Sequence, residues 1–329
     1  MQRARSLLRS TIWAALALGM AAATASAQSY PDRPVTIVVP AAAGGPTDTV
    51  ARLVGDSMSR TLGQQIVVEN AGGAGGTIGM ARVAKAPADG YTLAVWHIGQ
   101  STAPALYENL KYNAIEDFDS IGRITDVPMT VVGKADLPIK GIGELLAWMK
   151  EKQKGVTYAH AGIGSASHLC ALLLMHATKT EMTAVAYRGT GPAMNDLLGG
   201  QFDMMCDQTT GTTNPIKAGK IKGYAATTPA RLKVLPELPT LDESGLKGFE
   251  VAAWHAMWAP KGLPKDVTDK LVNALQVALR DEKVMARFAD LGTEPVAQAL
   301  ATPDALKRQL ASEVAKWGPI IKAAGVKGN

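Results

Sequence analysis

The sequence predicts an α/β protein of two domains, each with a mostly parallel sheet covered by helices on both faces. Short apolar, β-branched runs alternate with amphipathic helical stretches along most of the chain. Glycine-rich loops of small residues join strand to helix in both halves of the sequence. A chain of 329 residues also forms two domains more naturally than one.

The N-terminal segment reads as a secretory signal peptide. Three arginines among the first nine residues precede an apolar stretch (12–23), and Ala-Ser-Ala at 25–27 is a small-residue cleavage signal. We therefore expect residues 1–27 to be removed and the mature chain to start at Gln28. A retained membrane anchor is the alternative, but the apolar stretch is short for a bilayer span. We expect an exported protein.

Charge and composition argue against a nucleic-acid partner. Loss of three arginines with the signal peptide lowers the formal net charge from +5 to +2. No run of lysine and arginine is interleaved with aromatic residues in the rest of the chain.

The first strand, turn and helix after the signal form the central unit of the sequence. The run Val35–Val39 predicts a buried strand, loop 44–48 contains Gly44 and Gly45, and Pro46 is suited to a first helical position. Such a unit directs unpaired backbone N–H groups and the positive end of a helix dipole at one spot. Two interpretations stay open: an anion-binding turn, or a tight turn that only joins strand to helix.

The next elements continue the βα pattern. A strand at 65–69 leads to a glycine-rich loop (70–79) and a helix, and a strand at 91–96 leads to a loop (97–102) and a short helix. The loop at 70–79 does not match the dinucleotide fingerprint, because isoleucine stands where the third glycine should be. Since ligands of such sheets bind beyond the carboxyl ends of the strands, all three loops should gather at one edge.

The second domain should begin after an apolar, irregular crossover at 118–132, broken by Gly122 and Pro128. Beyond it the sequence predicts a helix from Ile142, a strand at 156–158 and a small-residue loop at 159–168 that opens a helix. A strand at 183–187, loop 188–191 and a helix to Leu198 come next. A strand at 202–206, with Asp207 at its carboxyl end, and a strand at 223–227 follow. The apolar segment 249–259 returns the chain to the first domain, and helices at 265–280 and 303–322 follow.

Cysteine and histidine spacing predicts no metal site. Cys170 and Cys206 lie 36 residues apart without a CxxC motif, and no H-x-x-x-H pair or acidic cluster occurs. The two cysteines either pair in an oxidising compartment or stay small core residues, and both alternatives remain open. We expect no cofactor.

Catalysis by a serine nucleophile is one alternative function. Ser165, Ser167 and His168 lie close in sequence, but no G-x-S-x-G elbow is present and no acid is placed to orient the histidine. A triad could still assemble from distant positions, so a hydrolase remains a competing hypothesis.

Capture of an anionic small molecule between the domains fits the residues better. Two loops that open helices, one in each domain, would offer N–H bonds worth roughly 1.5–3 kcal/mol each to a charged acceptor. Arg188 is the one cation in the candidate loops, while Asp48 and Asp207 are acids. Asp48 either complements the dipole of its own helix, or these acids accept hydrogen bonds from water or from an ammonium, hydroxyl or amide of the ligand.

Five motifs resemble the Bug family, the periplasmic solute-binding proteins of tripartite tricarboxylate transporters. They are YPDRP (30–34), AGGPTD (43–48), VENAGGAGGTIG (68–79), ADGYTL (88–93) and the segment 192–200. The resemblance extends from about residue 30 to the C-terminus. It implies a two-lobed, type II-like periplasmic-binding-protein fold with two crossovers, in which 28–125 plus 254–329 form lobe 1 and 126–253 form lobe 2.

The resemblance also implies a function in transport. The chain should be a non-enzymatic periplasmic receptor that captures a small carboxylate, acts as a monomer and delivers its ligand to the transporter's membrane subunits. A ligand sensor for a membrane signalling partner is the alternative within the same fold.

By position, loops 44–48 and 164–167 resemble the family's two carboxylate-binding loops, and Asp207 stands where the family tends to have an acid near the cleft. Segment 96–102 departs from the family because relatives have smaller residues than Trp96 and His97 there. Core packing is favoured for Trp96 over a position in the cleft. The candidate ligand-binding residues are Gly44, Gly45, Thr47, Asp48, His97, Ser101, Gly164, Ser165, Ala166, Ser167, Arg188, Gly189 and Asp207.

Overall fold

The computed structural model describes residues 30–323 and 325–328. The strands are β1 (Val35–Val39), β2 (Ile66–Asn70), β3 (Thr92–Trp96), β4 (Phe118–Lys134), β5 (Thr157–His160), β6 (Thr183–Ala186), β7 (Met204–Gln208), β8 (Ile221–Ala226) and β9 (Ala252–Pro260). The helices are α1 (Pro46–Leu62), α2 (Thr77–Ala84), α3 (Gly99–Leu106), α4 (Ile142–Lys152), α5 (Ala166–Thr178), α6 (Thr190–Leu198), α7 (Thr209–Lys217), α8 (Lys265–Ala278), α9 (Glu282–Asp290) and α10 (Pro303–Ala323). The predicted signal peptide lies outside the described residues.

Two sheets share strand β4 and define the two lobes of the fold. The first has the order β2-β1-β3-β9-β4, and the second continues from β4 through β7 and β5 to β6, with β8 also paired to β4. β1 is parallel to β2 and β3, and β5 is parallel to β6 and β7. β9 and β4 add antiparallel ladders. The predicted α/β class with two doubly wound domains is confirmed, whereas the exact lobe boundaries stay a prediction.

Strand β4 corrects the irregular crossover expected at 118–132. The segment is one strand of 17 residues, paired with β9 from Phe118 to Pro128 and with β7 and β8 from Met129 onward. Gly122 and Pro128 do not break it, because the register with β9 shifts beside Gly122 and Pro128 lies where the strand exchanges partners. A proline is tolerated at such a place, since the ladder hydrogen bond it cannot donate is not required there.

Helix α1 follows the local sequence closely. Pro46 takes the first turn, where its missing N–H is not needed, and Val50, Val54 and Met58 form the buried face. Gly63 ends the helix in the left-handed conformation with φ +68°, and its N–H bonds to the carbonyl of Ser59. The helix therefore starts just beyond the carboxyl end of β1, with its N-terminus directed toward the inter-lobe region.

Two helices were not predicted. Helix α7 contains a glycine and a proline in a threonine-rich stretch, and helix α9 lies between the two C-terminal helices that the sequence suggested. Tertiary contacts stabilise α7: the hydroxyls of Thr130 and Thr212 lie 2.7 Å apart, and Thr213 donates to the carbonyl of Leu291 at 3.2 Å. Context of this kind overrides weak helix propensity.

The cysteines are paired. Cys170 of α5 and Cys206 of β7 form a disulfide with a Cα–Cα distance of 6.1 Å, and both residues are buried. Of the two alternatives that the sequence left open, the structure has the disulfide. It ties α5 directly to β7 inside the second sheet's half of the molecule.

Among the described residues, no helix combines the length and the apolar character that a bilayer span requires. The same residues also contain no group of three or more His, Cys, Asp or Glu side chains able to hold a metal ion.

Candidate ligand-binding site

The loop before α1 is held in place by Asp48. The N–H of Gly44 and the Nε–H of Arg52 each donate to Asp48 Oδ2 at 3.0 Å, and Asn70 donates to Oδ1 at 3.0 Å. Burial raises the pKa of the Asp48 carboxyl, but these hydrogen bonds and the Arg52 charge offset burial and leave the pKa below its ordinary value. Asp48 thus shapes its own loop and helix. This favours the interpretation in which Asp48 complements the dipole of its own helix over the one in which it bonds to the ligand.

Helix α5 begins in a network of hydroxyls. Ser165 caps the helix by accepting from the backbone N–H of His168 at 3.3 Å. The Oγ atoms of Ser165 and Ser167 lie 3.1 Å apart, and Ser167 Oγ accepts from the N–H of Ala161 at 2.9 Å. These buried side chains fix the start of α5.

The same network weakens the hydrolase alternative. His168 Nδ1 accepts from the N–H of Gly164 at 3.3 Å, and burial, together with the charge of His160, lowers the pKa of His168 to about 3. Within the described residues, no hydrogen bond joins an imidazole nitrogen to Ser165 or Ser167, and none joins a carboxylate to His168. The arrangement that activates a serine nucleophile is therefore not assembled by these groups.

Two neutral histidines lie beside the start of α1. The N–H of Gly99 donates to His97 Nδ1 at 3.0 Å, which assigns the proton of this imidazole to Nε2. His255 Nδ1 lies 3.0 Å from the carbonyl of Ala253, so Nδ1 carries the proton and Nε2 accepts from the Thr47 hydroxyl at 3.1 Å. Burial lowers the pKa of His255 to about 4. Burial, together with the repulsion that a protonated His255 would exert, lowers the pKa of His97 well below its ordinary value.

Asp207 is a buried carboxyl on β7. Only 1% of the residue is exposed, and burial raises its pKa to about 7 although Gln208 N–H and the Thr190 hydroxyl bond to it. Its Oδ1 and the Oε1 of Gln208 are buried and have no hydrogen-bond partner within the described part of the chain. Strand β7 ends at Gln208, one residue beyond Asp207, so Asp207 lies inside the strand and not just after it.

These elements enclose a cavity between the lobes. The space open to the centre of a water molecule is about 20 Å³, room for little more than one water in this closed arrangement. The cavity is lined by Ala41, Gly45, Pro46, Thr47, Trp96, His97, Ala161, Ser165, Ala166, Ser167, Thr190, Asp207 and Gln208. The two loops that the sequence singled out therefore meet at one cavity, and no lysine or arginine is among its described lining residues.

Seven of the thirteen candidate residues line the cavity: Gly45, Thr47, His97, Ser165, Ala166, Ser167 and Asp207. The others lie behind it or at its edge, where Ser101 donates to the carbonyl of Ile98 and the carbonyl of Gly164 accepts from Thr102. Arg188 is exposed, and its carbonyl accepts from the N–H of Ala42 at 3.0 Å. Gly44 and Asp48 hold the α1 loop, and Gly189 packs against Ala42.

Sequence reasoning missed other lining residues. Trp96 is 2% exposed and stacks on His97 at 3.8 Å, so it packs in the core and lines the cavity at the same time. Thr190 and Gln208 also line the cavity. Each directly follows a candidate residue: Thr190 follows Gly189 at the start of α6, and Gln208 follows Asp207 at the end of β7. Extending the candidate loops by one residue would have included both.

A two-lobed α/β protein with a closed inter-lobe cavity has the architecture of a periplasmic solute-binding protein. Comparison with known proteins agrees, because residues 50–326 match the family model described as the tripartite tricarboxylate transporter family receptor. The chain belongs to this family, which includes the Bug proteins. The resemblance seen in the sequence motifs is thereby confirmed.

Three solved structures are similar over most of the chain. The periplasmic binding protein BugD is 52% identical, with a TM-score of 0.88 and coverage of 91% of this chain and 99% of BugD. MatC from Rhodopseudomonas palustris with bound malate is 39% identical, with a TM-score of 0.85 and coverage of 89% and 100%. A second R. palustris protein, solved with adipate, is 32% identical, with a TM-score of 0.85 and coverage of 91% and 99%.

Proposed function

We propose that the protein binds a small carboxylate in the cavity between its lobes and delivers it to the membrane subunits of a tripartite tricarboxylate transporter. The observation that carries this proposal is the convergence of two helix N-termini, those of α1 and α5, on one buried cavity. Each helix N-terminus stabilises a nearby anion by about 0.3–1 kcal/mol, and backbone N–H bonds to a charged acceptor add roughly 1.5–3 kcal/mol each. Such groups bind a carboxylate without a lysine or arginine.

The relatives support a carboxylate as the ligand class. Malate and adipate, named with two of the similar structures, are both small dicarboxylates. They differ in chain length and in the hydroxyl that malate carries and adipate lacks. Family membership therefore favours a dicarboxylate for this chain but leaves its substituents to be inferred from the cavity itself.

Closure of the lobes would follow from contacts at the cavity rim. Ala42 N–H donates to the carbonyl of Arg188 at 3.0 Å, Thr102 donates to that of Gly164 at 2.9 Å, and Tyr107 donates to that of Ile163 at 3.0 Å. A cavity of about 20 Å³ cannot admit a dicarboxylate, so we propose that the lobes separate and close again around the ligand. The hinge would lie where β4 and the start of β9 cross between lobe 1 (28–125 plus 254–329) and lobe 2 (126–253).

We further propose that the mature protein acts in the periplasm as a monomer after loss of residues 1–27. The signal-like N-terminus and the periplasmic family support this location.

A thermal-shift screen of the mature protein tests the ligand class. Succinate, malate, aspartate, adipate, citrate and nicotinate would be compared with glucose and choline. At a ligand concentration 100-fold above Kd, a true ligand adds about 2.7 kcal/mol to the free energy of unfolding. Stabilisation by glucose or choline alone, with no response to any acid, would overturn the proposal.

Uptake measurements test delivery. Membrane vesicles that contain the cognate membrane subunits should accumulate the labelled acid only when the ligand-loaded protein is added outside. Accumulation that is equal without the protein would contradict a role in delivery, whatever the protein binds.

A further inference from the structure

Two hydrogen-bond acceptors in the cavity wall have no partner within the described part of the chain. Asp207 Oδ1 and Gln208 Oε1 are both buried, and both residues line the cavity. Asp207 and Gln208 are 1% and 4% exposed, so bulk water cannot serve these atoms. Buried polar groups in native proteins are almost always paired, and an unpaired one at a binding cavity indicates a group that the ligand supplies.

Thr47, which also lines the cavity, provides a third acceptor. His255 Nδ1 carries its proton toward the carbonyl of Ala253, so its Nε2 can only accept, and the Thr47 hydroxyl must donate to it. With its hydrogen used in this way, Thr47 Oγ1 keeps only acceptor capacity for the cavity that it lines. A carboxylate oxygen placed against this atom would be repelled, whereas a donor would be accepted.

The Asp207 carboxyl lies close to the start of α1, the helix to which Thr47 belongs. A Cβ on Gly211 would lie 3.1 Å from Asp207 Oδ2 and 3.2 Å from Cγ of Pro46, which sets the Asp207 carboxyl beside the first residue of α1. The N-termini of α1 and α5 supply donors for a carboxylate, so donor and acceptor walls occur in one small cavity. A plain dicarboxylate would satisfy the donors and leave the acceptors unpaired.

We infer that the ligand is a small carboxylate that also bears a hydrogen-bond donor, a hydroxyl or an ammonium group, and that Asp207, Gln208 and Thr47 accept from this donor. This inference rests on the proposed carboxylate-binding function. Asp207 is then a specificity-determining residue: it selects substituted acids over plain ones of equal length. A site built to bond a polar substituent discriminates strongly against an analogue without it, because the buried groups of the site are left unpaired.

The test uses three four-carbon diacids that differ in one substituent: succinate, malate and aspartate. Isothermal titration of the mature protein at about pH 8, where Asp207 is mostly ionised and can only accept, should give a Kd for malate or aspartate at least tenfold lower than that for succinate. A hydroxyl as the natural donor gives the lowest Kd with malate, and an ammonium gives it with aspartate. Equal affinity for all three acids, or binding of adipate with no binding of the three, overturns the inference and leaves the proposed function standing. No binding by any of the six acids of the thermal-shift screen overturns both.

Two variants locate the discrimination. Asp207→Leu removes the acceptor and, because leucine is larger, narrows the cavity for every acid, so the Kd of the preferred acid should rise at least tenfold more than that of succinate. Asp207→Asn keeps the shape and an acceptor but loses the charge, and it should weaken aspartate binding more than malate binding. Asp203→Asn, in an acid that does not line the cavity, is the matched control and should keep the wild-type preference. Retained preference in Asp207→Leu would overturn the inference, and succinate binding reports that each variant is folded.

Discussion

The Thr47 hydroxyl lies 3.1 Å from Nε2 of His255, although 208 residues separate them in sequence. Thr47 belongs to the first turn of α1, and His255 lies on β9, the strand that pairs with both β3 and β4. The bond therefore connects the N-terminal end of α1 to the strands that join the two sheets. Because burial lowers the pKa of His255 to about 4, the imidazole stays neutral and accepting throughout the physiological pH range.

Replacement of His255 should weaken ligand binding by releasing Thr47. His255→Asn cannot place an acceptor at the position of Nε2, so the Thr47 hydroxyl loses its orientation and a buried bond worth about 1 kcal/mol. We expect a three- to tenfold higher Kd, measured by isothermal titration with the acid that stabilises the wild type most. His176→Asn, in an exposed histidine, is the control and should bind as the wild type does. Unchanged affinity in His255→Asn would show that Thr47 needs no such support.

The buried Asp207 carboxyl should make the ligand-free protein less stable as pH rises. Its pKa is about 7 in the folded protein against about 3.9 when unfolded, so the folded state binds more protons between these values. Stability from this group is full below pH 4, falls by up to about 1.4 kcal/mol per pH unit, and reaches its minimum above pH 7. Buried neutral histidines have the opposite effect: they make the folded protein more stable as pH rises between about pH 4 and 6.5.

Urea unfolding of wild type and Asp207→Asn at pH 5, 6, 7 and 8 separates these contributions, because the histidines are common to both proteins. The stability of the variant relative to the wild type should rise from pH 5 to 7 and level off near pH 8. Asp203 is the matched control. Burial raises its pKa, but bonds from Thr157 and Lys134 lower it by more, so the pKa of Asp203 lies below its ordinary value. The effect of Asp203→Asn should therefore be constant from pH 5 to 8, and a flat difference for Asp207→Asn would contradict the prediction.

Local sequence predicted the parts of the fold that depend on local chemistry. The turn that opens α1 and the parallel βα units follow from glycine, proline and short apolar runs acting on their own neighbours. Helix α9 was missed, although Asp281 caps it through bonds from the N–H groups of Lys283 and Val284. That capping signal was present in the sequence and could have been used.

Features that arise from distant contacts could not be predicted in this way. Strand β4 is continuous because β9, β7 and β8 pair with successive parts of it, which no short window of sequence reveals. The acceptor character of Thr47 depends on His255, and the unpaired state of Asp207 Oδ1 among the described residues depends on what surrounds it in space. Sequence therefore indicated which loops meet at the cavity, while the hydrogen-bonding character of the cavity wall required the structure.

Glycines lie at the seam where the proposed closure would bring the lobes together. A Cβ added to Gly191 would lie 2.5 Å from the carbonyl oxygen of Ala43 and 3.0 Å from the nitrogen of Gly45, across the cavity rim. Gly191→Ala should hold the lobes apart, raise the ligand Kd at least tenfold and leave the ligand-bound protein with a larger radius of gyration in small-angle scattering. Gly143→Ala, in a helix with open space around the added carbon, is the control and should close normally. Full compaction of Gly191→Ala on ligand addition would contradict a tight seam.

The disulfide should stabilise the half of the site that carries Ser165 and Asp207. Cys170 and Cys206 join α5 to β7 and close a loop of 36 residues, for which the chain-entropy estimate is about 3–4 kcal/mol. The double variant Cys170→Ala, Cys206→Ala should lose stability of this order in urea unfolding, and a reductant should lower the stability of the wild type but not that of the variant. Because α5 and β7 both contribute lining residues, the variant should also bind the ligand several-fold more weakly. Equal stability of the wild type with and without reductant, under conditions in which free thiols are detected by titration, would show that the bond constrains neither the fold nor the site.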